Sequence, residues 1–325
     1  FPIGHLAPRL VGMDPIMWDP FRYKLGGRLI NAKGEEFVHE YGGKDEGKYL
    51  TTRDIISYAI TKEAEAGRAT TSGGVFLSFE HLLEEELRSA FGPVIDKLAA
   101  NGIDLTKHPI EVAPIAHYHM GGIKVNSRME TRVLGLYAAG EAVGGANGAN
   151  RLSGNALVEA FVFGERAGRF SAICATGKER GWSNKSGIRH LDSLNSLICC
   201  KHGDDGEHAE LGQIWAELQN LMWQNVGVLR TGLKLEKTLL RLQSIRANLE
   251  EVIPAKGEAF NLTLQDWFDL RAGLLTAEAV TLSALNRTES RGAHQREDFT
   301  ETKESFERNQ SISLDMNGSL NSSFV

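Results

Sequence analysis

The stretch from Thr131 to Leu157, TRVLGLYAAGEAVGGANGANRLSGNAL, limits the possible folds more than any other part of this chain. The apolar run VLGLYAAG, Val133 to Gly140, reads as a short buried strand, and the glycine- and asparagine-rich segment after it as a loop. The next residues, NALVEAFVFGERAGRFSAICA from Asn155 to Ala175, read as a helix with small and apolar side chains on most faces, the pattern of a helix packed against a sheet. Strand, loop and helix in that order put Glu141 at the carboxyl end of a parallel strand, just before a helix N-terminus. Open α/β sheets bind dinucleotides there. The residues alone leave two readings of Glu141, a cofactor ligand or a polar loop residue.

Composition narrows the field. The 325 residues carry 36 Lys+Arg against 42 Asp+Glu, a formal charge of −6 that does not suit a nucleic-acid partner. With 42% hydrophobic residues the chain can fill two or three packed units. Cys174, Cys199 and Cys200 form neither a disulfide framework nor a CxxC metal site, so a reducing compartment is expected. No run approaches the ~18 apolar residues of a membrane span. The start, Phe1-Pro2-Ile3-Gly4, has no initiator Met and no secretory pattern, so the chain is expected to be an internal piece or a processed product.

Elsewhere the pattern predicts a strand over Arg28 to Asn31 and a Thr52-capped helix opening at Arg53, with Ile55, Ile56, Ala59 and Ile60 on one face. Further helical runs are predicted over Phe79 to Phe91 and Val94 to Ala100. The segment IEVAPIAHYHMGGIKV, from Ile110, reads as strand, glycine turn and strand. Three helices near 211–226, 233–251 and 263–287 make a small bundle, the middle one carrying Leu235, Leu239, Leu242, Ile245 and Leu249. The expected fold class is α/β plus α. It divides into an α+β unit over 1–112, a strand-loop-helix segment over 113–180, a linker over 181–210, a helical bundle over 211–300 and a flexible tail over 301–325.

Several short motifs stand in a fixed order: His117-Tyr118-His119-Met120-Gly121-Gly122, then Ala139-Gly140-Glu141, then Gly148-Ala149-Asn150-Arg151-Leu152 with Gly154-Asn155, then Val162-Phe163-Gly164. The combination resembles the succinate dehydrogenase and fumarate reductase flavoprotein family, whose members carry HYxMGG, AGE, HGANRLGGNSL and VFG in this order. Arg53-Asp54 is similar to the family's catalytic arginine segment, and Ser290-Arg291-Gly292-Ala293-His294 with Arg296-Glu297-Asp298-Phe299 to its SRGAHxREDF signature. The resemblance implies an FAD-dependent oxidoreductase acting on a dicarboxylate such as succinate or fumarate. It implies Arg53 as the proton-transferring catalytic residue, His117 and Arg151 as substrate ligands, and Gly140, Glu141, Asn155, Ala156 and Leu157 as cofactor contacts. An arginine suits bidentate carboxylate binding; as a proton donor, with its pKa above ~12, it requires a neighbour to relay the proton. The resemblance also implies a partner, the amino-terminal nucleotide-binding half in the same or another chain, since no GxGxxG follows a strand here. An iron-sulfur electron-transfer subunit is a further implied partner, and the location is cytoplasmic, or peripheral to a membrane through such a subunit.

Four positions depart from the family pattern. The histidine of QFHPTG is Phe1, the glutamate of RGEGG is Leu25, the histidine of HGANR is Asn147, and the serine of GGNSL is Ala156. Arg22, Lys24 and His5 are candidates to compensate. These changes keep open a related flavoprotein acting on another acid, such as an aspartate oxidase or a sulfur-compound oxidoreductase, and a non-catalytic truncated or assembly chain. The plainer alternatives are a metal pair for His117 and His119, for which no third ligand is evident, a surface ion pair for Arg53 and a loop brace for Arg151. No metal is expected, and Arg291 and His294 are read as structural, tying the tail to the bundle and the flavin domain.

Overall fold

The structure, a computed structural model, describes residues 3–5, 18, 22, 25–43, 51–152, 154–176, 207–251 and 260–325. The chain forms two compact units, Phe1–His119 and Met120–Val325.

The first unit is built on an antiparallel sheet of β1 (Ile3–His5), β2 (Arg28–Ile30), β3 (Val75–Ser78) and β4 (Ile110–Pro114), in the order β1-β4-β3-β2. Two helices join it, α1 (Arg53–Glu65) and α2 (Glu84–Ala100). Helix α1 buries Ile56, Ala59 and Ile60, three- and four-residue steps that share a face. Thr52 holds the N-cap position but its side chain makes no capping bond, contrary to expectation. The two helical runs expected around Gly92 are one helix kinked there. Gly92 leaves helical geometry, and Pro93 has no N–H to donate to the turn before it. Phe79 follows a strand rather than opening a helix; Val75–Ser78 is too short and too close to Gly73-Gly74 to show a period. Trp18, Phe79 and Phe91 form the centre of the core, with ring centroids 5.5 to 6.3 Å apart. A β-carbon on Gly27 would lie 2.7 Å from the Phe79 ring, so glycine is required beside it.

A buried carboxylate ties the loops of this unit to α1. Glu63 accepts hydrogen bonds from Arg68 Nη2 (2.6 Å) and Nε (2.8 Å), Tyr41 Oη (2.6 Å) and Asn31 Nδ2 (2.9 Å). The Arg68 guanidinium, helped by Tyr41 and Asn31, outweighs the cost of burial and holds the Glu63 carboxyl down at about 2.

The second unit contains α3 (Asn155–Ala175), α4 (Glu207–Val226), α5 (Gly232–Glu251) and α6 (Leu262–Asn286). Helices α4, α5 and α6 pack together around Leu218, Leu242, Ile245, Leu249, Leu270 and Leu274. Asn261 caps α6 by accepting from Leu264 N–H at 3.0 Å. The linker expected over 181–210 lies outside the described residues up to residue 206, and its last residues belong to α4. Short strands β5 (Leu229–Arg230) and β6 (Gln295–Arg296) pair in parallel.

Two expectations are corrected here. The tail, read as flexible over 301–325, forms a hairpin of β7 (Gln310–Leu314) and β8 (Leu320–Phe324). Its turn is built by Asp315 Oδ1, which accepts from Asn317 and Ser319 N–H, and by Gly318 at φ +78°. The buried strand expected over Val133 to Gly140 is absent: Gly135 turns the chain at φ +82°, and Leu134 is 85% exposed. No strand beside it among the described residues offers the ladder that would make it one. Of the strand expected after Gly122, only Ile123 pairs, in a parallel bridge with Val143. That bridge brings two glycines back to back. A β-carbon on Gly144 would sit 2.6 Å from Gly122 N, and one on Gly122 would sit 2.6 Å from the Ala142 oxygen.

Glu63→Gln removes the buried charge and leaves Arg68 without its anion, and is expected to cost about 2–3 kcal/mol in denaturant unfolding near neutral pH. Because the folded carboxyl is held below its ordinary 4.5, its contribution is present above that pH and is lost as pH falls toward about 2. The variant should show a flatter acid limb than the parent, and an equally steep one would refute the assignment. Gly144→Ala should lower the unfolding free energy by at least about 1–2 kcal/mol, whereas Gly212→Ala, in open space on α4, should stabilise slightly.

Candidate functional site

Within the second unit, the one-turn helix Gly140–Ala142 packs on α3. Gly140, at φ +65°, faces the Ala160 backbone, an ordinary van der Waals approach that leaves Glu141 exposed in the first turn. Helix α3 starts at the residue predicted. Gly154, at φ +92°, holds the N-cap position and has no side chain with which to cap the helix. Asn155 and Leu157 are exposed and Ala156 is half-buried in that first turn. The structure therefore places Gly140 and Glu141 on a turn packed against the helix whose first residues are Asn155, Ala156 and Leu157. An exposed acid and the positive, uncapped end of a helix are complementary polar groups for a ligand bearing hydroxyls and an anionic portion.

The loop between these elements carries Arg151, half-buried, with Nη1 donating to the Leu152 carbonyl at 3.3 Å. Asn147, at the family's histidine position, donates from Nδ2 to Glu159 Oε1 at 2.7 Å. Glu159 was not singled out from the sequence, although an acid amid the apolar residues of α3 was the available signal. It is the buried residue of that helix. The apolar side chains are outside instead: Leu157, Val158 and Ile173 are exposed, and Phe161 is 77% exposed. Val133, Leu134 and Leu136 are exposed as well.

The first unit holds Arg53 and His117. Arg53 is the half-buried first residue of α1, and the next residue, Asp54, has a buried Oδ1 that accepts no hydrogen bond from the described residues. His117 and His119 are exposed in the segment after β4. Among the described residues no three metal-ligating side chains gather. Leu25, at the family's relay glutamate position, is packed against the apolar core. Arg22 is buried in the same unit. Phe1, Tyr23 and Lys24, and the side chain of His5, lie outside the described residues.

Arg291 and His294 are braced within the second unit. Arg291 binds both carboxylate oxygens of buried Glu289 (3.0 and 3.2 Å) and donates to the Lys303 carbonyl (3.0 Å). His294 sits between the Arg287 carbonyl, 3.0 Å from Nε2, and Arg230 Nη1, 2.9 Å from Nδ1. Burial and the Arg230 charge push its pKa down to about 4. The ring is then neutral, with Nε2 the donor and Nδ1 the acceptor.

Residues 17–157 match the family model of an FAD binding domain, and residues 215–318 match that of the fumarate reductase flavoprotein C-terminus. A polypeptide of the CoM/CoB fumarate reductase of Methanothermobacter marburgensis is 37% identical over 285 residues, which are 87% of this chain and 50% of that protein. The L-aspartate oxidase of a Synechocystis species is 30% identical over 295 residues, 86% of this chain and 51% of that protein. A structure of Escherichia coli quinol fumarate reductase superposes with a TM-score of 0.83 at 30% identity, covering 95% of this chain and 56% of the other. The chain spans about half the length of the curated relatives it matches. Among the described residues no helix is long and apolar enough to cross a membrane. On these matches, and on the order of its motifs, the chain belongs to the succinate dehydrogenase and fumarate reductase flavoprotein family.

Proposed function

We propose that this chain is the capping, carboxyl-terminal flavin-domain and helical portion of an FAD-dependent oxidoreductase that exchanges hydride with a dicarboxylate of the succinate/fumarate type. The observation that carries the reading is the Gly140–Ala142 turn packed on α3, which sets Glu141 and the uncapped Asn155-Ala156-Leu157 turn on adjoining elements. On this reading residues 1–112 are the capping domain, 113–180 the flavin-domain segment, 211–300 the bundle and 301–325 its tail.

The residues present fit one end of FAD. Glu141 would accept hydrogen bonds from ribityl hydroxyls, Gly140 would give the cofactor close access to the main chain, and the first turn of α3 would direct N–H groups and the positive helix end at the ring's oxygen. When bound, FAD supplies hydride exchange at its N5. The substrate groups act around that chemistry. Arg151 grips a carboxylate with its guanidinium fork, and His117 hydrogen-bonds the same substrate. Arg53 moves a proton at the substrate carbon, which requires a second titratable group beside it. Leu25 cannot serve, because its side chain is part of the apolar core.

A nucleotide-binding half covers the exposed face of α3 in this proposal. Leaving a Leu or Phe in water forgoes about 1.5–3 kcal/mol each, and Leu157, Phe161 and Ile173 are all exposed. A helix apolar on most faces belongs between layers. An iron-sulfur subunit is the partner that would carry the electrons onward, placing the complex at a membrane through its other subunits.

A second reading, a related flavoprotein acting on another acid such as L-aspartate, is favoured by one observation. Where the family has its relay glutamate, Leu25 packs into the core. Reoxidation of the reduced flavin by fumarate, compared with a panel of acids, separates the two.

Co-expression with the nucleotide-binding half should yield a yellow protein with a flavin absorbance band; a colourless product that takes up no FAD ends the proposal. In that protein Glu141→Ala should weaken flavin retention by about tenfold to a hundredfold, read by ultrafiltration. Arg53→Lys should lower turnover by at least about a hundredfold with the flavin band intact, and unchanged turnover would remove Arg53 from the proton path.

A further inference from the structure

We propose that Gly292 and Ala293 are positioning residues for Arg151: the tip of the Arg291–His294 turn fixes the main chain of the loop from which that arginine reaches substrate. The inference rests on the reading of Arg151 as a substrate ligand and gives a task to the SRGAH motif, which that reading leaves as a brace.

Three observations within the second unit carry it. The Ala293 N–H donates to the Ala149 carbonyl at 2.9 Å, two residues before Arg151. Gly292, at φ +55°, approaches so closely that a β-carbon there would lie 2.6 Å from the Ala149 oxygen and 2.9 Å from both the Ala149 carbonyl carbon and the Asn150 β-carbon. The tip itself is held from both sides. Arg291 and His294 exchange backbone hydrogen bonds of 2.8 and 3.0 Å, and Gln295 Nε2 donates to the Gly292 carbonyl at 2.7 Å. The side chains flanking the tip are anchored away from it, Arg291 on Glu289 and the Lys303 carbonyl, His294 between Arg230 and the Arg287 carbonyl. Gly148, at φ +59°, lets the chain turn just before it meets the tip. A rigid tip of two small residues therefore sets where the Arg151 loop can lie.

The displacement expected on substitution is large enough to matter. Ordinary contact begins near 3.4 Å, so an alanine at 292 would force the Ala149 oxygen back by roughly 0.8 Å, the difference from 2.6 Å. A misplacement of about 1 Å in a binding constellation is enough to cost about a hundredfold.

The test uses the complete flavin-loaded protein and reads the dissociation constants of succinate and L-aspartate from the perturbation of flavin absorbance. Gly292→Ala should weaken binding of the preferred acid by about tenfold to a hundredfold, with flavin content unchanged. Because Gly292 acts through Arg151, adding Gly292→Ala to Arg151→Ala should produce no further loss. Full additivity would mark general damage and overturn the inference. So would an unchanged constant in Gly292→Ala when Arg151→Ala weakens binding, an outcome that leaves the substrate role of Arg151 standing. If Arg151→Ala binds as well as the parent, or if neither acid perturbs the parent spectrum, the underlying reading fails and the inference with it. Should Gly292→Ala not accumulate as folded protein, Arg291→Lys keeps the charge toward Glu289 and loses the fork. It should weaken binding by about threefold to tenfold, and only where Arg151 is present; no change, or the same loss without Arg151, overturns the inference.

Discussion

Where Gly122 meets Gly144, and again where Gly292 meets Ala149, two stretches of main chain touch at distances that leave no space for a β-carbon, and each contact joins segments remote in the sequence. Such contacts are stiff. The atoms involved are backbone atoms that cannot change rotamer, and the hydrogen bonds beside them, Ile123 N–H to the Ala142 carbonyl at 2.8 Å and Ala293 N–H to the Ala149 carbonyl at 2.9 Å, fix the register. The first contact holds the turn carrying Glu141, and the second holds the loop carrying Arg151. The loops that carry Glu141 and Arg151 are thus located by glycine contacts.

Helix α3 shows the reverse condition. Its buried side chain is Glu159, bonded by Asn147, while Phe161 and its apolar neighbours lie outside. The family's histidine at position 147 would bring a group titrating near neutrality; asparagine supplies the same kind of donor without titrating. Leu25 makes a similar exchange on the first unit. It gives up an ionisable group for packing on the core around Phe79, while the two glycines after it are retained and the second, Gly27, is required by that ring.

Local signals were legible where they were dense. The span Asn155–Ala175 is legible because a glycine-rich loop leads into a run dominated by small and apolar residues. Leu235, Leu242, Ile245 and Leu249 gave α5 its buried face. Val75–Ser78 escaped because four residues show no period, and the hairpin after Gln310 escaped because its alternation is written in Ser and Asn. The run Val133 to Gly140 was misread because a strand depends on neighbours as much as on its own residues, and the described sheets offer none. Glu141 could be singled out by its place after a strand-like run and before a helix. The Asn147–Glu159 bond and the Gly292–Ala149 contact could not, since nothing local in either segment names its partner.

Glu289 gathers Arg287, Arg291 and the Lys303 N–H, and Arg287 in turn lies over the paired Phe306 and Phe324 rings, 5.4 and 5.7 Å from their centroids. The hairpin is thereby linked to the turn that abuts Ala149. Removal of the hairpin would take away a strut rather than an appendage, loosening a carboxylate knot that lies one element away from Arg151.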